Sequence, residues 1–270
     1  MNTYEINSDK KEIIINTECF LLDMDGTLNL DEHWISGAPE FLLAVRASGR
    51  RLCFLTNNSS KSGEAYLAKL HRMGFDADPA TELVTSGEAT INYLNTHHAG
   101  KRVFLLGNDL LKGEFSSSGI VLDNDSPDIV VTAFDTTLDY EKMCAVCDFV
   151  RAGLPFIATH PDKNCPTKTG FIPDIGAINA FIEASAGRVP DIIVGKPNDI
   201  IIDYALRKAG CPREKAAIVG DRLYTDIASA KNGLSSILVL SGETSLGDLE
   251  NSDIVPSLIF GSVADITPLL

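Results

Sequence analysis

The chain has 270 residues, an apolar fraction of 44 % and a formal net charge of −14, enough length for one large domain or two ordinary ones with a sizeable core. That charge argues against nucleic acid and anionic membrane as partners, and no apolar run approaches the roughly 18 residues that a spanning helix needs. Six scattered cysteines and an N-terminus without a signal-type apolar core predict a cytoplasmic protein with reduced thiols.

Residues 1–16 read as a polar lead-in, with Ile13, Ile14 and Ile15 as an edge strand. The run Cys19-Phe20-Leu21-Leu22 then stops at Asp23-Met24-Asp25-Gly26-Thr27. An apolar run this short, bounded by polar turn residues, reads as a buried parallel strand. In a doubly wound sheet the chemistry sits beyond the carboxyl ends of such strands. In a strict strand Asp23 and Asp25 share one face, and both could reach one substrate group. A calcium loop would need Gly and Glu where Leu28 and Trp34 stand. A solvated turn after the strand remains the plain alternative.

A helix opens at Gly37-Ala38-Pro39, with Phe41, Leu42 and Val45 on its apolar face and Gly49 as its stop. A second buried strand, Arg51 to Leu55, ends abruptly in Thr56-Asn57-Asn58-Ser59-Ser60. The helix after it carries Leu67, Leu70 and Met73 and stops at Gly74. A hydroxyl and backbone amides at a helix entrance form an anion site, although ordinary Ser and Asn caps would look the same.

Residues 84–190 interrupt this pattern with strands of their own at 102–106, 128–132 and 156–159. Helices are predicted there near 90–95 and over 140–151 and 176–186. Such βα alternation is enough for a second, smaller α/β domain. Cys144 and Cys147 read as two packed helix cysteines, since a structural zinc needs four ligands. The loop-rich stretches around His160 and Asp174 make these two residues candidates for contacts that select the substrate, with a surface loop residue as the plain alternative for His160.

The core is expected to resume with a strand at 191–195, followed by Lys196-Pro197 and a helix over Ile202 to Ala209. The strand Ala216 to Gly220 runs into Asp221-Arg222-Leu223-Tyr224-Thr225-Asp226 and a helix to Gly233. Asp221 and Asp226 stand at a strand end, where carboxylates suit a hard cation and where Asp226 could equally cap the helix. Strands at 236–240 and 258–260 complete the predicted sheet.

Taken in order, these stretches resemble the four motifs of the haloacid dehalogenase superfamily: Asp23-x-Asp25-Gly26-Thr27, Thr56, Gly195-Lys196-Pro197, and Gly220-Asp221-x4-Asp226. Thr56-Asn57-Asn58, the Gly-Lys-Pro and the tail Leu238 to Gly242 are similar to the NagD-type, or 4-nitrophenylphosphatase-like, branch. The resemblance spans about Thr17 to the end, with His160 standing where that branch has Asn. It implies an α/β fold: a Rossmann-like doubly wound parallel core from 1–83 and 191–270, and an inserted cap over 84–190 that chooses the substrate.

It further implies an Mg²⁺-dependent phosphomonoesterase acting on a small phosphorylated metabolite. Asp23 would be the nucleophile that forms an aspartyl-phosphate, and Asp25 the general acid and base. Thr56, the N–H groups of Asn57 and Asn58, and Lys196 would bind phosphate. Asp23, the Asp25 carbonyl and Asp221 would hold Mg²⁺, with Asp226 outside them or orienting Lys196. Mg²⁺ and Lys196 would also reconcile an anionic substrate with a chain of charge −14. In that superfamily the dehalogenases lack the second Asp and the cation-pumping ATPases carry Thr in its place, so the resemblance at Asp25 points to phosphatases or phosphomutases. A phosphotransferase on the same scaffold and a non-catalytic phosphate-binding signalling protein are the rival readings. A homo-oligomer is left open.

Overall fold

A computed structural model describes residues 8–167 and 170–270. The chain divides into two compact units, residues 1–56, 67–84 and 202–270 in the first and residues 57–66 and 85–201 in the second. It crosses between them at 56/57, 66/67, 84/85 and 201/202.

The first unit is built on a six-stranded sheet ordered Leu258–Phe260, Ser235–Val239, Ala216–Gly220, Cys19–Leu22, Arg51–Thr56, Leu83–Thr85. Cys19–Leu22 is completely buried, as its unbroken apolar run predicts for a strand covered on both faces. Phe20 meets Phe41 of the helix Ala38–Ala47 edge-to-face at 5.8 Å. Cys19–Leu22 pairs in parallel with Arg51–Thr56 on one side and with Ala216–Gly220 on the other. The chain builds outward first through Arg51–Thr56 and later through Ala216–Gly220. The order of winding therefore reverses at the central strand, the place where open α/β sheets bind ligands.

The second unit has a five-stranded parallel sheet ordered Ile192–Ile193, Phe156–Ala158, Ile129–Thr132, Arg102–Leu106, Val121–Leu122. Helices Tyr140–Arg151 and Ile175–Ala186 bury Val146, Val150, Ile178 and Ile182 in its core. Cys147 lies in that core and Cys144 is exposed. Among the described residues no helix is long and apolar enough to cross a membrane.

Three elements depart from the sequence reading. Ile13–Ile15 is helical, inside Ser8–Asn16. Only Ile14 of the three is buried, Ile15 is exposed, and Thr17 Oγ1 closes the helix on the Ile13 carbonyl, so packing overrides β-branched propensity. The strand expected at 191–195 to reopen the first sheet is Ile192–Ile193, and it pairs with Phe156–Ala158 of the second sheet. The helix expected after Asp226 shrinks to one 3₁₀ turn, Ile227–Ser229, with Asn232 (φ 53°) and Gly233 (φ 94°) turning the chain away.

Candidate active site

Each of the two strands that meet at the reversal delivers a carboxylate. The Asp23 N–H donates to the Val219 carbonyl at 2.9 Å, which carries the ladder one residue past Leu22. Asp221 follows the last residue of Ala216–Gly220 on the neighbouring strand. Gly26 then turns the chain with φ 97°, and a Cβ there would lie 2.5 Å from Asp221 Oδ2. Both the backbone angle and the close approach require glycine. Gly220 and Gly242 make way in the same manner, their Cβ positions falling 2.2 Å from Asp226 Cγ and 2.0 Å from Asp221 Oδ2.

The result is a close group of acids in which oxygens of Asp23, Asp221 and Asp226 all lie within 4.8 Å of one another. The Thr27 hydroxyl lies 3.1 Å from Asp221 Oδ1 and 3.4 Å from Asp23 Oδ2, and the Glu243 N–H donates to Asp221 Oδ2 at 2.7 Å. Asp226 Oδ2 accepts from the Arg222 N–H at 3.1 Å. Burial, and then the charges of Asp23 and Asp226, push the Asp221 carboxyl up to about 7. Oxygen donors gathered this tightly, with like charges opposing one another, fit a hard divalent cation such as Mg²⁺. Thr56 is buried at the end of the adjoining strand.

Asp25 stands apart from this group. The strand ends at Leu22, so the alternation expected to hold both aspartates on one face does not extend to Asp25. Its backbone bridges to Asn29 instead. Its side chain, about one-third exposed, accepts at Oδ1 from Asn29 Nδ2 at 2.7 Å and from Lys69 Nζ at 3.3 Å. Sequence reasoning missed both donors. The available signal for Lys69 was its place beside Leu70 in the helix Gly63–Arg72; its side chain is buried.

The remaining predicted residues belong to the second unit. Asn57 grips the backbone of Lys196: its Oδ1 accepts the Lys196 N–H at 2.8 Å and its Nδ2 reaches the Lys196 carbonyl at 3.1 Å. The same Nδ2 reaches Asp162 Oδ1 at 3.0 Å. Asn58 accepts from the Ser60 N–H and hydroxyl. Lys196 and His160 are buried. His160 is not a surface loop group: Nε2 lies 3.0 Å from Asp174 Oδ1, and Nδ1 lies 3.0 Å from Thr159 Oγ1. Asp174 also caps the helix Ile175–Ala186. Asp162, which the sequence did not single out, completes a second buried cluster with His160 and Asp174.

The chain matches the family described as haloacid dehalogenase-like hydrolase over residues 20–121 and a HAD-hydrolase-like family over residues 193–266. It is 37 % identical over 245 residues to an acid sugar phosphatase of Staphylococcus aureus, covering 90 % of this chain and 94 % of that one. Among solved structures it is similar to 4-nitrophenylphosphatase from Thermotoga maritima, with 45 % identity, a TM-score of 0.91, and coverage of 95 % and 98 %. It is also similar to a glycerol phosphate phosphatase from Mycobacterium tuberculosis solved in complex with magnesium. There the identity is 30 %, the TM-score 0.85, and the coverage 93 % of this chain and 77 % of that one.

Proposed function

The chain belongs to the haloacid dehalogenase-like hydrolases, and on that premise we propose that it hydrolyses a small phosphate ester through an aspartyl-phosphate on Asp23, with Mg²⁺ as cofactor. It is a phosphatase, as the acid sugar phosphatase and 4-nitrophenylphosphatase relatives indicate. The observation that carries the finer reading is the convergence of Asp23, Asp221 and Asp226 at the reversal of the sheet.

A carboxylate oxygen of Asp23 attacks phosphorus while the bond to the leaving oxygen breaks, dividing one hard displacement into two easier ones. Asp25 gives its proton to that oxygen, which leaves as an alcohol. Asp25 then takes a proton from the water that attacks the aspartyl-phosphate, releasing phosphate and restoring Asp23. Asp23, the Asp25 carbonyl and Asp221 are proposed to hold the metal, and Asp226 supports Asp221. Mg²⁺ supplies the positive charge that lets an anionic carboxylate approach an anionic phosphoryl group. Thr56 is the proposed hydroxyl donor to the phosphoryl oxygens. Lys196, Asn57 and Asn58 keep the phosphate-binding roles their motifs suggest, and Asn57 fixes the Lys196 backbone for that purpose. The second unit is proposed to choose among esters. The substrate class extends to sugar and glycerol phosphates by the names of the relatives.

The test is capture of the intermediate. Acid quenching during turnover of a phosphate-labelled ester should leave label on the peptide that contains Asp23. Asp23→Asn should take up no label and turn over at least roughly a thousandfold more slowly. Near-normal turnover of that variant would overturn the mechanism.

A further inference from the structure

Asp25 is held by one oxygen only. Both donors that reach its side chain, Asn29 Nδ2 at 2.7 Å and Lys69 Nζ at 3.3 Å, meet Oδ1, and among the described residues no hydrogen bond falls on Oδ2. We propose that Lys69 and Asn29 are positioning residues that fix Oδ1 as the accepting oxygen of Asp25, so that Oδ2 is the oxygen that carries the proton to the leaving group. The proposal rests on the reading of Asp25 as general acid.

The chemistry of a carboxylic acid supports this assignment. In the protonated group one oxygen is a carbonyl-type acceptor and the other carries the hydrogen. Two donors on Oδ1 leave it no room for that hydrogen, so it resides on Oδ2. As the proton passes from Oδ2 to the departing oxygen, carboxylate charge develops on Asp25. The ammonium of Lys69 already stands where that charge grows, a preorganised interaction that strengthens during the step. Lys69 is buried, and a cation is costly to bury unless it meets a compensating charge.

Asn29 shows the same commitment. Its two Nδ2 hydrogens go to Asp25 Oδ1 and, at 2.9 Å, to the carbonyl of Asp31. Asp31 adopts φ 51° in the tight turn that presents this carbonyl. These two acceptors settle which way the amide faces. The orientation leaves Asn29 Oδ1 buried without a partner, a cost that a freely chosen rotamer would avoid. The turn is tied further by the Gly26 N–H on the Asn29 carbonyl and by the Asn29 N–H on the Met24 carbonyl. Asn29 therefore belongs to the rigid backbone of the motif, and Lys69 reaches the same oxygen from a separate helix.

The experiment compares leaving groups. p-Nitrophenolate departs without a proton, whereas the alkoxide of glycerol phosphate needs one. The constant kcat/KM reports the first P–O cleavage and is blind to later hydrolysis of the intermediate. Lys69→Met should lower kcat/KM for glycerol phosphate about 30-fold or more and for p-nitrophenyl phosphate by less than about 3-fold, since general acids contribute on the order of 10²–10⁴. Lys69→Arg, which keeps a cation, should recover part of the alkyl ester rate. Asn29→Ala, the other donor, should show the same split, so the proposal stays testable if Lys69→Met melts. Asp25→Asn serves as the reference. If it splits the two esters while Lys69→Met and Asn29→Ala lower both equally, the pair is structural and the proposal fails. If Asp25→Asn produces no split, the acid role itself fails and takes the proposal with it.

Discussion

Each unit of the molecule buries a cluster of potential metal ligands, and the two clusters differ in how their charge is met. In the first, Asp23, Asp221 and Asp226 face one another, and the Asp221 carboxylate meets the Thr27 hydroxyl and the Glu243 N–H. In the second, the Asp174 carboxylate meets His160 and the first N–H of a helix, and Asp162 meets the Asn57 amide. Ligand atoms within 4.8 Å occur in both, so proximity alone does not make a metal site. Burial and like charges that together raise a carboxyl toward neutrality mark a place that gains from a cation, whereas acids already satisfied by protein donors hold a loop together.

The largest effect should come from the first cluster. Asp221→Asn should reduce kcat by at least roughly a hundredfold with Mg²⁺ present, as loss of one member of a catalytic unit does; turnover within about threefold of the parent would dissolve the distinction. Exhaustive chelation should abolish activity, Mg²⁺ should restore it, and Ca²⁺ should not, being larger and irregular in coordination.

Next in size is binding read as stability. Mg²⁺ at a hundredfold excess over its dissociation constant should stabilise the parent by about 2.7 kcal/mol. Calorimetric melting should show the same increment in His160→Asn and none in Asp221→Asn. An increment lost in His160→Asn would place the cation in the wrong unit.

The pH dependence is smaller. With its carboxyl raised to about 7, Asp221 in the folded chain keeps a proton that the unfolded chain releases near pH 4, so without metal stability falls as pH rises across that window. Asp128, held down to about 2 by hydrogen bonds from Arg102, acts below it. Melting in chelator should drop on the order of 5 °C between pH 5 and pH 8. Asp221→Asn should flatten that drop, and an unchanged slope in the variant would refute the assignment.

The smallest effects belong to the second cluster. His160→Ala and Asp174→Asn should each lower stability by about 1–3 kcal/mol, because buried partners lose their hydrogen bonds. They should also shift kcat/KM unequally across alkyl and aryl phosphates through the loop they hold. A panel in which every ester falls by one factor would remove the second unit from substrate choice.

The sequence by itself determined the central buried strands and the motif ends. Apolar runs at Cys19–Leu22, Arg51–Thr56 and Ala216–Gly220 that break into polar residues already mark buried strands with carboxylates and hydroxyls at their exits, because local periodicity and turn chemistry are written residue by residue. Tyr140–Arg151 was equally legible as a helix. Only the tertiary structure decided that Ile192–Ile193 joins the second sheet, since a short apolar run does not encode which edge it will pair with. It alone paired His160 with Asp174 across 14 positions and Lys69 with Asp25 across 44. Such contacts arise from how separate elements pack, and no spacing along the chain carries them. A lone lysine in a helix reads as solvated until the fold buries it against a carboxylate, and there the cost of burying charge makes the pairing specific.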